Sequence, residues 1–556
     1  MKSQWKRWDE IPIAGVCWRP STDYLTGDWR SFKPVWVERV SPCTYNCPAW
    51  NRIPQYLRKI RDGKLDEAAE ILLETNPLPS ITGRVCPHFC VQGCNRGRYD
   101  EAISIRDVER FLGDYILDKK GEILTRSLAP ENGRSVAIIG SGPCGLSGAY
   151  YLRKMGYRVV VFEREEKPAG VLTYGIPSYR LPKQIVEKEV LALTKAGVEI
   201  RTNVAVGVDV DFEDVRREYD AVLLATGVPR EAEMGIPGED LMIPGLEFLK
   251  RVNEGLRESP GEGVAVIGGG NVSMDVSRTL KRLGANPVVL YRRSEKEMPA
   301  IAEEVEKAKQ DGVQLQFLTQ PVEASRKNNK IVLKCVKMQL GEPDDSGRRR
   351  PVPVEGSEFT LEFDAVIKAV GESPDTTWIP REFLSDNGWV KVNESTYLVA
   401  GNVFAAGDLT SGPATVVEAV TAGRKAAKSI DQYLKGEEFK AETPLGEPVK
   451  FEEMNLAHYY ELAGRVETPE RPPRDRMGTF DTEEVSGIGL EYAKGEADRC
   501  FSCGYCRVCG LCAIFCPDSA VKLRGDSPEC NYDFCKGCGI CANECPCKAI
   551  IMEMER

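Results

Sequence analysis

The sequence predicts an α/β protein whose body is two Rossmann-like sheets, with a small helical module ahead of it and a small α+β module after it. Three observations predict this. Apolar, strand-like runs lead into glycine-rich turns and helices twice, at residues 135–155 and again at residues 264–275. The cysteines avoid these regions: of 20, six fall at positions 17–94 and twelve at 500–547, leaving only Cys144 and Cys335 between. The remaining composition over 556 residues, 42% hydrophobic and 28% charged, is that of a soluble multidomain chain.

The start of the chain is polar and charged and lacks the apolar core of a signal peptide. The longest apolar candidate, residues 136–152, is broken by Gly140, Gly142, Pro143 and Gly145, so no membrane span is expected. A cytoplasmic location follows as the expectation, and the cysteines then read as metal ligands rather than disulfides. A net charge of −10 argues against nucleic acid as a partner. Only two histidines, His88 and His458, are present, which excludes a mechanism built on several imidazoles.

Cys43-x3-Cys47-Pro48 is followed by Cys86-x3-Cys90-x3-Cys94, and Leu65, Ala68, Ala69 and Leu72 between them have helical spacing. A helical hairpin therefore brings the two groups together. Five thiols exceed the four that one cubane takes, and on spacing alone structural zinc stays open. His88, inside the loop, is either zinc's nitrogen ligand or a neighbour that packs beside the sulfurs.

Residues 135–139 read as a buried strand, and Gly140-x-Gly142-Pro143-x-Gly145 opens a helix. A second strand ends at Glu163. Glycines let the backbone approach a pyrophosphate, the helix N-terminus attracts its charge, and Glu163 accepts from a ribose hydroxyl. The pattern recurs with Gly268, Gly270, Asn271 and Val272, Ser273 taking the third small-residue place. Here the following strand ends at Arg292 and Arg293. Two guanidiniums in place of an acid favour a 2′-phosphate, hence NADPH over NADH, unless both are solvated surface charges. Thr226 and Gly227 end one further apolar strand; Gly407 and Asp408 end another, with Thr415 at the start of the next helix. Asp408 is suited to hold a ribityl hydroxyl or a phosphate through water.

At the C-terminal end, Cys506-x2-Cys509-x2-Cys512-x3-Cys516-Pro517 repeats as Cys535-x2-Cys538-x2-Cys541-x3-Cys545-Pro546. This is two-cluster ferredoxin spacing, in which the fourth cysteine of each run crosses to the other cluster. Cluster one is expected on Cys506, Cys509, Cys512 and Cys545, and cluster two on Cys535, Cys538, Cys541 and Cys516. Zinc more often takes paired x2 hooks. Cys500, Cys503, Cys530 and Cys547 are left over, either as spare buried thiols or, through the Cys500-x2-Cys503 hook, as part of a further site.

The segments SPCTYNCPAW, NPLPSITGRVCPHFCVQGCNRG, GSGPCGLSGA, GVLTYGIPSYRLPK, GGGNVSMD, YRRSEKEMPA and VFAAGDLTSGPATVVEAVTAGRKAA occur in this order over about residues 35–437. In these the chain resembles the glutamate synthase small-subunit family of iron–sulfur flavoproteins, which includes the N-terminal half of dihydropyrimidine dehydrogenase and the large subunit of NADH-dependent ferredoxin:NADP oxidoreductase. The tail is similar to longer members with a fused ferredoxin domain. The resemblance implies FAD at the first glycine turn and NAD(P)H at the second. It implies an N-terminal cubane on Cys47, Cys86, Cys90 and Cys94. It also places residues 170–183 against the flavin, making Gly170, Tyr174, Ile176 and Arg180 contact candidates. Relatives with two N-terminal cubanes carry a cysteine pair upstream of Cys43. Only Cys17 stands there in this chain, and Glu109 lies near a relative's Gln ligand, so one N-terminal cubane is expected with Cys43 unassigned.

The expected layout is a helical 4Fe-4S domain (1–130), an FAD-binding domain in two parts (131–245 and 365–437), an inserted NAD(P)H-binding domain (246–364), a proline-rich connector (438–490) and a ferredoxin-like domain (491–556). The connector either lies over the body or docks a partner, or serves as a flexible tether. The function expected is an electron-transfer subunit passing electrons from NAD(P)H through FAD and three 4Fe-4S clusters to ferredoxin or a partner catalytic subunit in a hetero-oligomer. Alternatives are a ferredoxin-oxidising NAD(P)+ reductase and the small subunit that feeds a glutamate-forming large subunit. No protein acid or base is needed, because cofactor positioning carries the chemistry.

Overall fold

Short unbroken apolar runs rich in Val and Ile build two mainly parallel sheets. The computed structural model describes residues 25–555 apart from 345–346, 444 and 457–458. Cys17, His458, Pro444 and the polar start therefore lie outside the described residues. The first sheet has six strands in the order Leu398–Ala400, Val403–Ala405, Ala221–Leu224, Ser135–Ile139, Arg158–Phe162, Glu199–Arg201. All neighbours are parallel except the Leu398–Ala400 edge. Its central strands are buried on both faces, which is why they read as unbroken apolar runs rather than alternating ones.

The second sheet is wholly parallel, in the order Gln314–Gln316, Asn286–Leu290, Gly263–Ile267, Ala365–Lys368, Ile243–Pro244. Ala365–Lys368 was expected with the returning FAD segment. It pairs instead with Gly263–Ile267, where its apolar side chains complete the second core. Between Gln314–Gln316 and this strand the chain makes an antiparallel excursion of Thr319–Lys327, Lys330–Pro343, Arg349–Pro353 and Phe359–Phe363.

The N-terminal helices Ile53–Arg61, Leu65–Leu73, Pro79–Val85 and Ile105–Arg126 pack on the first sheet's helix layer, where Tyr151 Oη donates to the Leu73 carbonyl at 3.2 Å. The two ends of the chain are interleaved rather than separate. Phe32–Trp36 pairs antiparallel with Ile550–Met554, so a strand from the expected helical module completes the C-terminal one. Helix Leu490–Arg499 packs against Ile53–Arg61. The connector lies over the body: Glu484 N–H donates to the Tyr179 carbonyl at 3.0 Å, and Glu470 bridges Val485. Among the described residues no helix is long and apolar enough to cross a membrane.

Candidate dinucleotide and thiol sites

The first glycine turn leaves the end of Ser135–Ile139 and enters helix Pro143–Lys154. Gly140 has φ +102°, and its N–H donates to the Phe162 carbonyl at 2.9 Å. A Cβ on Gly145 would stand 2.0 Å from the Gly140 oxygen, so turn and helix approach as only glycine allows. A Cβ on Gly142 would meet nothing within 4 Å; the space beyond it is open. Glu163 is buried and accepts from the Ser141 N–H at 3.1 Å, from the Ser141 hydroxyl, and from the Glu165 N–H at 2.9 Å. The carboxylate therefore braces the turn.

Thr226, Gly227, Gly407 and Asp408 lie at the ends of the neighbouring strands Ala221–Leu224 and Val403–Ala405. Thr226 Oγ1 and Asp408 Oδ1 are buried and lack a protein partner, as expected of groups that a ribityl chain or phosphate would satisfy. Open space at a glycine turn and two orphaned oxygens beside it fit FAD. Thr415 caps helix Val416–Lys435, its hydroxyl engaged with Glu418 in a capping box.

Burial, with Glu372 and Glu418 nearby, pushes the Asp408 carboxyl from 3.8 up to about 7. The folded, flavin-free protein thus holds this proton at pH values where the unfolded chain has lost it. Its contribution to stability is fully present below pH 4 and is lost as pH rises through about 7. Thermal melts of the flavin-free protein should lose part of this pH dependence in Asp408→Asn; an unchanged slope would show that Asp408 does not carry it.

In the second sheet Gly268 has φ +141° and Gly270 faces open space. Asn271 begins helix Asn271–Arg282 and accepts from the Ile301 N–H at 2.9 Å, with Val272 half-buried behind it. This fits a second dinucleotide. The arginine pair divides. Arg293 is buried and committed, donating to Asp344 at 2.6 Å and to the Arg349 carbonyl at 2.9 Å. Arg292 is the exposed one. Both arginines lie just past the end of strand Asn286–Leu290, and Arg293's bonds to Asp344 and Arg349 tie it to the excursion, leaving Arg292 as the guanidinium open to a phosphate.

Arg180 is likewise engaged with carboxylates of the protein. It was expected at the flavin, but it is buried and bonds Asp275 at 2.7 and 2.8 Å, with Glu304 3.4 Å away. It ties the loop of residues 170–183 to helix Asn271–Arg282. The rest of that loop lies between the first glycine turn and helix Gly245–Asn253 of the second sheet. Gly170 lies over Gly142, and the Ile176 carbonyl accepts from Lys183 Nζ and, at 3.3 Å, from Asn253 Nδ2. Tyr174 Oη accepts from the Lys167 N–H at 2.9 Å.

The thiols form four groups. Among the described residues no three His, Cys, Asp or Glu side chains close on a single-ion site. The groups are defined at the range over which one thiolate raises the pKa of the next. Burial raises the Cys512 thiol, with Cys506, Cys509, Cys545 and Cys541 adding to it, and burial raises Cys541, with Cys535, Cys538 and Cys516 adding to it. Cys506, Cys509, Cys512 and Cys545 line one small pocket, with Trp36 and Ile550 in its walls. Such a donor set fits a cubane.

At the other end burial raises the Cys90 thiol, with Cys47, Cys86, Glu109 and Cys43 adding to it. Backbone N–H groups of Ala49, Trp50 and Asn51 point at the Cys47 sulfur, and that of His88 at Cys86. His88 has φ +66°, and burial beside Arg106 lowers its pKa to about 3, so it is neutral. Glu109 is buried, accepting from Thr82 at 2.7 Å, Asn51 at 3.1 Å and Asn76 at 3.2 Å. Cys94, expected as the fourth member here, is grouped elsewhere: it acts on Cys43, Cys500 and Cys503. Helix Phe89–Gln92 ends before it, so Cys94 is not carried onto the Cys90 face.

Two dinucleotide-type turns on two parallel sheets, with grouped thiols at one end, define a flavin-dependent pyridine-nucleotide reductase with iron–sulfur modules. The comparisons agree. The family pattern "Pyridine nucleotide-disulphide oxidoreductase" matches residues 134–423, and "dihydropyrimidine dehydrogenase domain II, 4Fe-4S cluster" matches residues 39–121. The chain belongs to the pyridine nucleotide-disulphide oxidoreductase family and carries a 4Fe-4S domain. The "NADP(+)-dependent formate dehydrogenase subunit beta" of Moorella thermoacetica is 40% identical over 503 residues, 83% of this chain and 70% of that protein. An "NADPH-Fe(3+) oxidoreductase subunit beta" of Geobacter sulfurreducens is 34% identical over 544 residues, 89% and 80% of the two chains. The glutamate synthase (NADPH) small chain of Azospirillum brasilense is 37% identical over 430 residues, 72% and 88%. The chain is thus an FAD-dependent NAD(P)H oxidoreductase with iron–sulfur centres, of the glutamate synthase small-subunit type.

Proposed function

We propose that this chain is the electron-entry subunit of a larger enzyme, taking electrons from NADPH and delivering them to a separate catalytic subunit. The observation that carries this reading is the pairing of two nucleotide sites with thiol groups that continue to an exposed end. Cys509 and Cys538 are exposed, and Ile514, Phe515 and Ile540 beside them are exposed apolar residues. The relatives' names, two beta subunits and a small chain, each with NADP(+) or NADPH, support both halves of the proposal.

FAD would lie along Gly140, Gly142, Pro143 and Gly145, with Glu163 at its ribose and Thr226, Gly227, Gly407 and Asp408 at its orphaned-oxygen end. NADPH would lie along Gly268, Gly270, Asn271 and Val272, with Arg292 at the 2′-phosphate. Two clusters would take the ferredoxin-like thiols, and a third Cys47, Cys86 and Cys90 with Glu109 as an oxygen donor. Bound there, the nucleotides supply hydride chemistry and the clusters carry single electrons. The chain positions these groups and shields them, and no side chain must move a proton.

The test is anaerobic. NADPH added to the purified protein should bleach the flavin and then produce reduced-cluster EPR signals. No bleaching with NADPH or NADH would overturn the reading; bleaching without C-terminal cluster reduction would remove the ferredoxin-like module from the route. Arg292→Ala should raise KM for NADPH about tenfold with little change for NADH, since one charge-assisted phosphate contact contributes about 1.5 kcal/mol. Equal losses for both nucleotides would show that Arg292 does not read the phosphate.

A further inference from the structure

The segment carrying Cys500 and Cys503 is pinned against the one carrying Cys43 and Cys94. The Arg39 N–H donates to the Gly504 carbonyl at 2.9 Å, and a Cβ on Gly504 would fall 2.3 Å from the Arg39 oxygen. Arg96 Nη1 donates to the Arg499 carbonyl at 3.0 Å, and its guanidinium lies 4.8 Å from the Phe501 ring centre. Asn95, next to Cys94, points its amide at Cys503 Sγ, 3.6 Å away, and the Val449 carbonyl accepts from the same nitrogen at 3.0 Å. Residues some 400 positions apart are thereby held in one register.

Each of the four sulfurs has a donor. The Thr44 N–H points at Cys43, whose sulfur lies 3.2 Å from Ser41 Oγ, and the Ser502 N–H donates to Cys500 Sγ at 3.3 Å. The Arg96 and Gly97 N–H groups point at Cys94, and the Asn95 amide serves Cys503. Arg499 and Arg507 add positive charge beside Cys94 and Cys500. A protonated thiol is a weak acceptor, so donors converging on four sulfurs are suited to thiolates. Four buried thiolates repel one another. A cationic group shared among them offsets that repulsion.

We propose that Cys43, Cys94, Cys500 and Cys503 ligate a fourth 4Fe-4S cluster, built from two cysteines near each end of the chain. This rests on the electron-transfer reading above. Zinc also accepts four thiolates but carries no electrons. The position of the site favours a cluster. Cys43 acts on Cys90 of the N-terminal group. On the other side, the Gly504 N–H donates to the Cys547 carbonyl at 2.6 Å, and Cys506 of the ferredoxin-like set is three residues beyond Cys503. A one-electron carrier here joins the N-terminal group to the C-terminal pair.

Iron, sulfide, zinc and FAD are measured on anaerobically purified full-length protein. The wild type should hold about 16 iron and 16 sulfide per chain, four of each per cluster, rather than about 12. Cys500→Ser with Cys503→Ser should lose about four irons while keeping FAD, which shows that the body is folded. Cys94→Ser should lose the same four, and adding it to the pair should lose no more. About 12 irons in the wild type, with or without one zinc, would overturn the inference and leave the electron-transfer reading standing. Losses from Cys94→Ser that add to those of the pair would return Cys94 to the Cys47 group and overturn the ligand set. Flavin without any iron would overturn the reading beneath it.

Discussion

Gly145→Ala should yield a chain retaining less than about a tenth of the wild-type FAD. The added Cβ would stand 2.0 Å from the Gly140 oxygen and 3.3 Å from Ile138 Cγ2. Neither atom can retreat freely, because Gly140 is held through its N–H to Phe162 and Ile138 is fully buried in the central strand. Such overpacking costs about 1–3 kcal/mol, taken up by opening the turn that faces the flavin phosphates. Gly142→Ala is the comparison, since its Cβ would meet no protein atom within 4 Å. That variant should fold normally, and any flavin loss measures how closely the ligand approaches. Flavin content and thermal melts of the two proteins decide the matter; full flavin in Gly145→Ala would remove the turn from the binding site.

Arg278→Met should lower the melting midpoint by on the order of 10 °C. Arg278 is fully buried, with Glu304 and Glu484 each 2.5 Å away and Asp311 at 3.0 Å. Arg282 and Arg476 share Asp311, at 3.2 and 3.4 Å. Removing one cation strands carboxylates in a dry interior, which costs about 3–5 kcal/mol. Because Glu484 comes from the connector, proteolysis within residues 438–490 should rise together with the loss of stability. Adding Glu484→Gln should restore part of it by removing an unpaired charge. A melt within one or two degrees of wild type would show that the network relaxes or takes up water.

The body of the fold was legible because its signals are local. Glycine turns at Gly140 and Gly268 follow strands by necessity of backbone geometry, and central parallel strands are apolar throughout. The two cysteine runs at 506–516 and 535–545 stand out in the sequence for the same reason, each three-cysteine loop lying within a few residues. What sequence could not give was pairing over distance. Nothing local in Phe32–Trp36 names Ile550–Met554 as its partner, and Ala365–Lys368 suits either sheet equally well. Arg180 and Arg293 read as ligand contacts because a guanidinium's partner cannot be inferred from its neighbours in sequence. Asp275 and Asp344 lie 95 and 51 positions away. The Cys500-x2-Cys503 hook was visible, but its counterpart around Cys94 was not.

The pairing of Phe32–Trp36 with Ile550–Met554 constrains the order of assembly during synthesis. Both parallel sheets draw only on residues 135–405, so they can close while the ribosome is still translating the tail. The first strand has to wait, unpaired, until residues 550–554 emerge. Closing so long a loop onto a flexible chain carries a logarithmic entropy cost, but a core already folded brings the two ends within reach. Maturation of the thiol-bearing modules is thereby timed to follow completion of the nucleotide-binding body.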